Sequence, residues 1–269
     1  MVPADRQMPA AFRESLVFVR DRAAVVTSIA LLVIAAMAWI HVIRSSLGAP
    51  DMMMTMFMPI TLSDGLAFVV SWGIMMTAMM LPSALPMISL YGVTQPGGAT
   101  TAPRGVPVAL FTLVYLAVWA ASGVPVYVAH TGLMALSPRA FARGIAVILL
   151  AAGVFQLSPL KQACLQACRS PLGFLLGHWR TGLLGSLALG WSHAVYCLGC
   201  CWALMVVLVA AGAMGLAWVL LITAVVAAEK LLPRGEWIAR VTGGAFLLLG
   251  VAVALRPDLV TALRSGQAM

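Results

Sequence analysis

Seven long apolar stretches constrain this chain more than any other feature of its sequence. A helix that crosses hydrocarbon needs roughly 17 to 25 mainly apolar residues, because each backbone polar group must be paired inside its own segment. Seven stretches fit this pattern, although the sixth does so only with its flanking residues. They lie at residues 23–43, 65–81, 106–129, 141–157, 191–212, 216–228 and 238–255.

The composition leads to the same fold class. Hydrophobic residues make up 62% of the 269 residues and charged residues only 9%, whereas a soluble domain carries roughly 25% charged residues. We therefore predict an all-α, polytopic helical membrane protein with about seven transmembrane helices. Its helices would be in direct contact with the lipid bilayer. A cytoplasmic tail at residues 1–22 would precede a single transmembrane helical domain at 23–269.

The distribution of lysine and arginine predicts the orientation, because cytoplasmic segments carry an excess of both. Eleven lie in the amino-terminal tail and the segments on its side, and five lie in the opposite segments. We therefore expect a cytoplasmic amino terminus and an external carboxyl terminus. The net charge of +8 then reflects topology, and no nucleic-acid partner is expected. The eleven are Arg6, Arg13, Arg20, Arg22, Arg104, Lys161, Arg169, Arg180, Lys230, Arg234 and Arg240.

The five cysteines are clustered between positions 164 and 201. Residues three and four apart share a helix face, so Cys164 and Cys168 point the same way. One histidine and three cysteines form a second stripe by the same rule, namely His193, Cys197, Cys200 and Cys201. Thiolates with an imidazole suit Cu(I), Zn(II) or an iron-sulfur cluster. These six residues are our candidate metal ligands, and the two faces form one site if the connecting segment brings them together.

A packing role is the alternative for these cysteines, because a free cysteine often behaves as a small buried hydrophobe. Packing is the better interpretation for Cys164 and Cys168 taken alone. The joint set of five cysteines with His193 favours a ligand or redox role. A structural disulfide is not expected, because the predicted orientation places these residues toward the reducing cytoplasm.

Methionines add a second soft-ligand feature. Seventeen occur in the chain, and many fall at 52–58 and 75–80. Thioethers are neutral ligands that favour Cu(I) over zinc. Spacing of four residues places four methionines along the second span as a possible metal relay: Met75, Met76, Met79 and Met80. Taken alone they are more typical of apolar filling, but together with a metal at the cysteines they favour copper over zinc or iron-sulfur.

Other polar positions suggest structure rather than catalysis. Glu229 and Lys230 end the sixth apolar stretch, where charged residues commonly anchor a helix at the interface. Pro82 and Pro86 are expected to interrupt the second helix. No Ser/His/Asp order, H-E-x-x-H or C-x-x-C-H motif occurs. We therefore do not expect a hydrolase or a c-type haem protein, and an enzyme is not the favoured class.

The motifs resemble a bacterial family, the domain of unknown function 2182, described as predicted metal-binding integral membrane proteins. The matching segments are 72–87, 156–171, 193–202 and 229–230, and the resemblance covers about residue 66 to the carboxyl end. It implies a multi-pass protein of the bacterial inner membrane that handles metal, with copper as the suspected ion. It implies no established set of ligands.

The sequence as a whole predicts a membrane protein that binds a soft metal ion, best assigned as Cu(I), for chaperoning, delivery or permeation. A copper-accepting protein would be a further partner. One alternative is a membrane thiol oxidoreductase that uses the Cys197/Cys200 pair, which has C-x-x-C spacing. A second alternative is a structural membrane subunit without metal.

Overall fold

A computed structural model of the chain describes residues 22–48, 62–95, 102–180, 182–210 and 216–257. All ten regular elements in these ranges are helices, which confirms the predicted all-helical class. They are α1 (Arg22–Gly48), α2 (Leu62–Thr94), α3 (Ala102–Ala121), α4 (Gly123–Met134), α5 (Pro138–Leu157), α6 (Pro159–Arg169), α7 (Pro171–His178), α8 (Gly182–Ala210), α9 (Leu216–Leu231) and α10 (Gly235–Leu255).

Six helical stretches in the described ranges are long and apolar enough to cross a bilayer. They are Val25–Leu47, Leu62–Thr94, Gly105–Leu133, Arg139–Leu157, Gly182–Leu208 and Gly235–Leu255. The third joins α3 to α4 through a single turn residue, Ser122. The count of six is close to the predicted seven, and the difference is α9, which has only 16 residues.

Helix α9 returns from the carboxyl end of α8 to about the middle of that helix, because Lys230 in its last turn contacts Cys197. It follows the carboxyl end of α8, and its own last turn meets the last turn of α5, where Gln156 Nε2 donates to Glu229 Oε1 at 2.8 Å. Helix α10 then runs antiparallel to α5, because Gly243 lies against Gln156 while Gly250 lies against Leu150. A helix of 16 residues spans roughly 24 Å at about 1.5 Å per residue, less than the roughly 30 Å of hydrocarbon.

Helix α2 corrects the expectation that Pro82 and Pro86 interrupt the second helix. Both prolines lie inside one continuous helix of 33 residues, beyond the predicted end at residue 81. Each proline removes one backbone donor and disfavours helix in an isolated segment. Burial against neighbouring helices overrides this preference, since Leu81, Ala84, Met87 and Ile88 are all buried.

The core is centred on α2, α3 and α8. Helices α2 and α3 are antiparallel neighbours: Gly73 lies against Ala120 and Gly92 against Val108. Helix α8 approaches α3 so closely that a Cβ at Gly190 would lie 2.7 Å from the Phe111 carbonyl oxygen. This contact sets α3 and α8 side by side about two helical turns before the first cysteine of α8.

The passage of α9 makes topology the first testable prediction. We expect reporter fusions to place the amino terminus in the cytoplasm, from the lysine and arginine asymmetry, and the carboxyl terminus outside, because we count α9 as the sixth crossing and α10 as the seventh. The measurement uses two reporters, one active only in the cytoplasm and one active only outside it, each fused in turn to the amino and the carboxyl end. Both ends reporting from one compartment would show that α9 does not cross.

Candidate metal centre

Four thiols from two chain segments meet beside the middle of α8. Cys200 Sγ lies 3.3 Å from Cys201 Sγ and 3.7 Å from Cys168 Sγ, which α6 supplies. Cys197, Cys200 and Cys201 are buried, Cys168 is half-buried, and all four are free thiols. A hydrogen bond with Cys197 raises the pKa of the Cys168 thiol well above its usual range. We call these four residues the thiol cluster.

Helix geometry explains how α8 supplies three of the four thiols. A short amphipathic helix, α6, supplies the fourth. Cys197, Cys200 and Cys201 share one helix face by their spacing. Helix α6 begins at Pro159, and the Ser158 side chain caps it by accepting from the Lys161 backbone N–H at 3.2 Å. Its inward face carries Lys161 and Leu165, both buried, and Cys168 lies one turn further along this face.

Cys164 and His193 lie apart from the sulfur contacts. The Cys164 thiol packs against Gly199, where a Cβ would lie 2.9 Å from its Sγ. Burial raises the pKa of the Cys164 thiol, partly offset by the Lys161 ammonium. The His193 ring is buried and contacts the rings of Phe111, Tyr115 and Phe174. Its Nδ1 has no hydrogen-bond partner in the part of the chain that the structure describes.

The thiol cluster is packed tightly rather than spread around a cavity. Within the described residues, no group of three or more His, Cys, Asp or Glu side chains is arranged to hold a metal ion. A tetrahedral thiolate site with bonds of about 2.3 Å separates its sulfurs by roughly 3.8 Å. The Cys200–Cys201 separation of 3.3 Å is shorter. The thiols must therefore move apart to coordinate a common ion.

A buried lysine contacts the thiol cluster. Lys230 Nζ on α9 donates to Cys197 Sγ at 3.0 Å and to Ser83 Oγ at 3.2 Å. The same nitrogen lies 3.8 Å from Met80 Sδ. On the other side of Cys197, the Tyr115 hydroxyl lies 3.1 Å from Sγ. Cys197 is thus placed by an ammonium and a hydroxyl from two other helices.

A second buried lysine forms an ion pair beside the thiol cluster. Lys161 Nζ lies 2.7 Å from Glu229 Oε2, and the two side chains are 0% and 1% exposed. The ammonium also donates to the Cys200 carbonyl oxygen. Glu229 and Lys230 are therefore not interfacial anchors, which corrects our expectation. Their partners come from α5, α6, α2 and α8, and pairing with them removes the need to reach the interface.

The comparison with known families adds an independent result. A family model described as PpoB2, copper chaperone, matches residues 69–253. The chain belongs to this family. No curated protein and no solved structure matches the chain. The domain of unknown function 2182, which the motifs resemble, and the copper chaperone family share copper as the suspected metal. That the chain also belongs to the first of these families stays a prediction.

The copper chaperone match covers every candidate residue of the site. It begins inside α2, before Met75, and ends near the carboxyl end of α10, so it contains all five cysteines, His193 and both buried lysines. The match supports a copper-related role for the family. It names no ligands, so the ligand set remains the one proposed from chemistry and geometry.

The four relay candidates lie in the interior rather than toward lipid. Met75 is 8% exposed, and the other three are 0–2% exposed. Met80 alone among them has a recorded contact with the group around Cys197, through Lys230. The methionine-rich stretch at 52–58 lies outside the described residues.

Sequence reasoning missed three side chains around the thiol cluster, namely Lys161, Lys230 and Tyr115. Both lysines were counted as loop charges. The available signal was their position in the sequence. Lys161 lies in the same short segment as Cys164, and Lys230 lies at the end of an apolar stretch.

Glu229→Gln tests the buried ion pair. The substitution keeps an acceptor for Gln156 but leaves the Lys161 ammonium without a counter-charge, so we expect a loss of about 3–5 kcal/mol in stability. Adding Lys161→Met should recover most of the loss, because the double variant leaves no unpaired charge at this pair. Unfolding in detergent monitors both variants, and equal stability of Glu229→Gln and wild type would contradict the pairing.

Proposed function

We propose that this protein binds copper as Cu(I) at the thiol cluster within the membrane and holds it for delivery to a copper-accepting protein. One observation carries the proposal: thiols from two separate segments, α6 and α8, meet inside the bundle. Membership of a copper chaperone family supports the choice of metal. Chaperoning and delivery fit that description better than permeation.

The ligand chemistry around the thiol cluster supports Cu(I) in preference to a harder ion. Thiolates and thioethers favour Cu(I), whereas carboxylates suit harder cations. The carboxylate of Glu229, the residue before Lys230, already pairs with Lys161 and Gln156 through its two oxygens. Cys168, Cys197, Cys200 and Cys201 are therefore the ligands we favour, with Cys164 and His193 as the remaining candidates.

The proposed setting is the bacterial inner membrane, with the amino terminus in the cytoplasm. Six apolar helices of sufficient length are compatible with a multi-pass protein. Copper in this setting would be exchanged as Cu(I) between thiols, because a reducing compartment keeps cysteines free.

A thiol oxidoreductase is the second candidate function. The observation in its favour is the 3.7 Å separation between the Cys168 and Cys200 sulfurs, which a small movement would bring to bonding distance, so that loss of two electrons and two protons to an acceptor such as a quinone would form a disulfide. The oxidoreductase predicted from the sequence uses a different redox pair, Cys197 and Cys200. Stoichiometric copper in protein purified without chelator favours the chaperone. A reversible disulfide without metal favours the oxidoreductase, and neither result favours a structural subunit.

We further propose that Met75, Met76, Met79 and Met80 form a relay that passes Cu(I) along α2 to the thiol cluster. Thioether ligands exchange Cu(I) without releasing protons, in contrast to thiols. The burial of all four side chains keeps such a path away from water, and Met80 lies at the end nearest Cys197.

Serine variants test the thiol cluster. We expect Cys168→Ser and Cys200→Ser each to weaken Cu(I) binding by about tenfold or more, because each removes a sulfur from one enclosed site. The double variant should be little worse than the stronger single variant. Competition with a chromogenic Cu(I) chelator gives the affinities, and Cys164→Ser on the same helix shows whether that remaining candidate is also a ligand, since only the loss of a ligand should weaken binding. Independent, additive losses would indicate two separate sites.

Leucine replacement of all four relay methionines tests copper movement separately from copper storage. The exchange roughly conserves volume and apolarity, so folding should survive. Copper stoichiometry should stay close to that of the parent, while copper transfer to an acceptor should fall severalfold. A folded variant that binds and transfers copper like the parent would identify these methionines as packing residues.

A further inference from the structure

We propose that Lys230 is the counter-cation of the copper-thiolate complex, a role that rests on the proposed function of the thiol cluster. Its ammonium lies 3.0 Å from Cys197 Sγ on the inner side of α9, where the residue is 7% exposed. A charge in this position contacts a proposed ligand directly. It is therefore part of the electrostatic environment in which any bound ion is stabilised.

Among the described residues, no carboxylate forms an ion pair with Lys230. The neighbouring Glu229 directs one oxygen to Lys161 at 2.7 Å and the other to Gln156 at 2.8 Å. The recorded partners of the Lys230 ammonium are two sulfurs and a hydroxyl, from Cys197, Met80 and Ser83. Because a buried ammonium without a counter-charge is costly, the thiol cluster is the place where the opposite charge must reside.

The chemistry of Cu(I) supplies this opposite charge. One Cu(I) ion held by two thiolates of the thiol cluster carries a net charge of −1, which a single ammonium offsets, and each further thiolate would add another negative charge beside it. Without Lys230 the same complex would be an uncompensated anion in an apolar interior, and its formation would be disfavoured. The ammonium need not leave, because an N–H group can donate to a sulfur that also binds a metal.

Lys161 cannot replace Lys230 in this role. Its ammonium is committed to Glu229 and to the Cys200 carbonyl oxygen. The two buried lysines therefore have separate tasks: Lys161 fixes the position of α6 against α8 and α9, and Lys230 balances the charge at Cys197. Lys230 is a positioning and charge-compensating residue and not a ligand.

Two substitutions at Lys230 separate charge from hydrogen bonding. Lys230→Arg keeps the positive charge, whereas Lys230→Gln keeps an N–H donor but is neutral. We expect Lys230→Arg to bind Cu(I) within a few-fold of the parent and Lys230→Gln to bind about 30-fold more weakly or worse, as for removal of one partner of a buried charge pair. Chelator competition measures both affinities, and thermal unfolding in detergent checks the fold.

Three controls make the result decisive. Ser83→Ala removes an uncharged contact of Lys230 and should leave the affinity within a few-fold of the parent. Lys230→Met provides a second neutral variant if Lys230→Gln does not fold. In a double-mutant cycle, Lys230→Gln should add little to Cys197→Ser, because Lys230 acts through that sulfur.

The inference is overturned if a folded neutral variant binds Cu(I) like the parent, or if Arg and Gln at this position weaken binding equally. It is also overturned if the losses from Lys230→Gln and Cys197→Ser simply add. Wild-type protein that binds no Cu(I) would instead overturn the proposed function, so the two failures are distinguishable.

Discussion

Two lysines buried in an apolar bundle need compensation, and the arrangement of the helices around the cysteines depends on how they obtain it. Lys161 of α6 reaches Glu229 of α9 and the Cys200 carbonyl of α8. Lys230 of α9 reaches Cys197 of α8 and Ser83 of α2. Because breaking either set would leave a buried charge unpaired, these contacts hold the elements that supply the thiols in one relative position.

Helix α6 is the element on which the thiol cluster depends most directly. It supplies Cys168 but is a short amphipathic helix, and its contacts with α8 and α9 hold it in place. Lys161 fixes its beginning, and at its end Arg169 Nη2 donates to the carbonyl oxygens of Leu232 and Pro233, each at 2.8 Å. A small displacement of α6 would change the Cys168–Cys200 separation, whereas the Cys200–Cys201 contact, which is the one too short for a common ion, lies within α8 and must change by side-chain rotation. The fold thus combines three thiols carried by one long helix, α8, with a fourth thiol carried by the separate short helix α6.

The sequence predicted those features that depend on local pattern. Apolar length identified the spanning helices, and residue spacing placed Cys197, Cys200 and Cys201 on one face. Long-range pairing could not be read in this way. Pro82 and Pro86 remain helical because α2 is buried on several sides, and Glu229 and Lys230 are interior because partners distant in sequence neutralise them. The approach of Cys168 to Cys200 could only be a hypothesis, since the path of the chain between α6 and α8 has no local signature.

The burial of both lysines also bears on the proposed orientation. The positive-inside rule concerns charges in the segments that flank the spans, and Lys161 and Lys230 are in the interior. Removing these two from the count leaves nine cytoplasmic residues against five, so the predicted asymmetry survives. In that orientation the last turns of α5 and α9 point to the cytoplasm, and the thiol cluster lies at their level. The cysteines would then be near the compartment that keeps thiols reduced, which is the state that Cu(I) coordination requires.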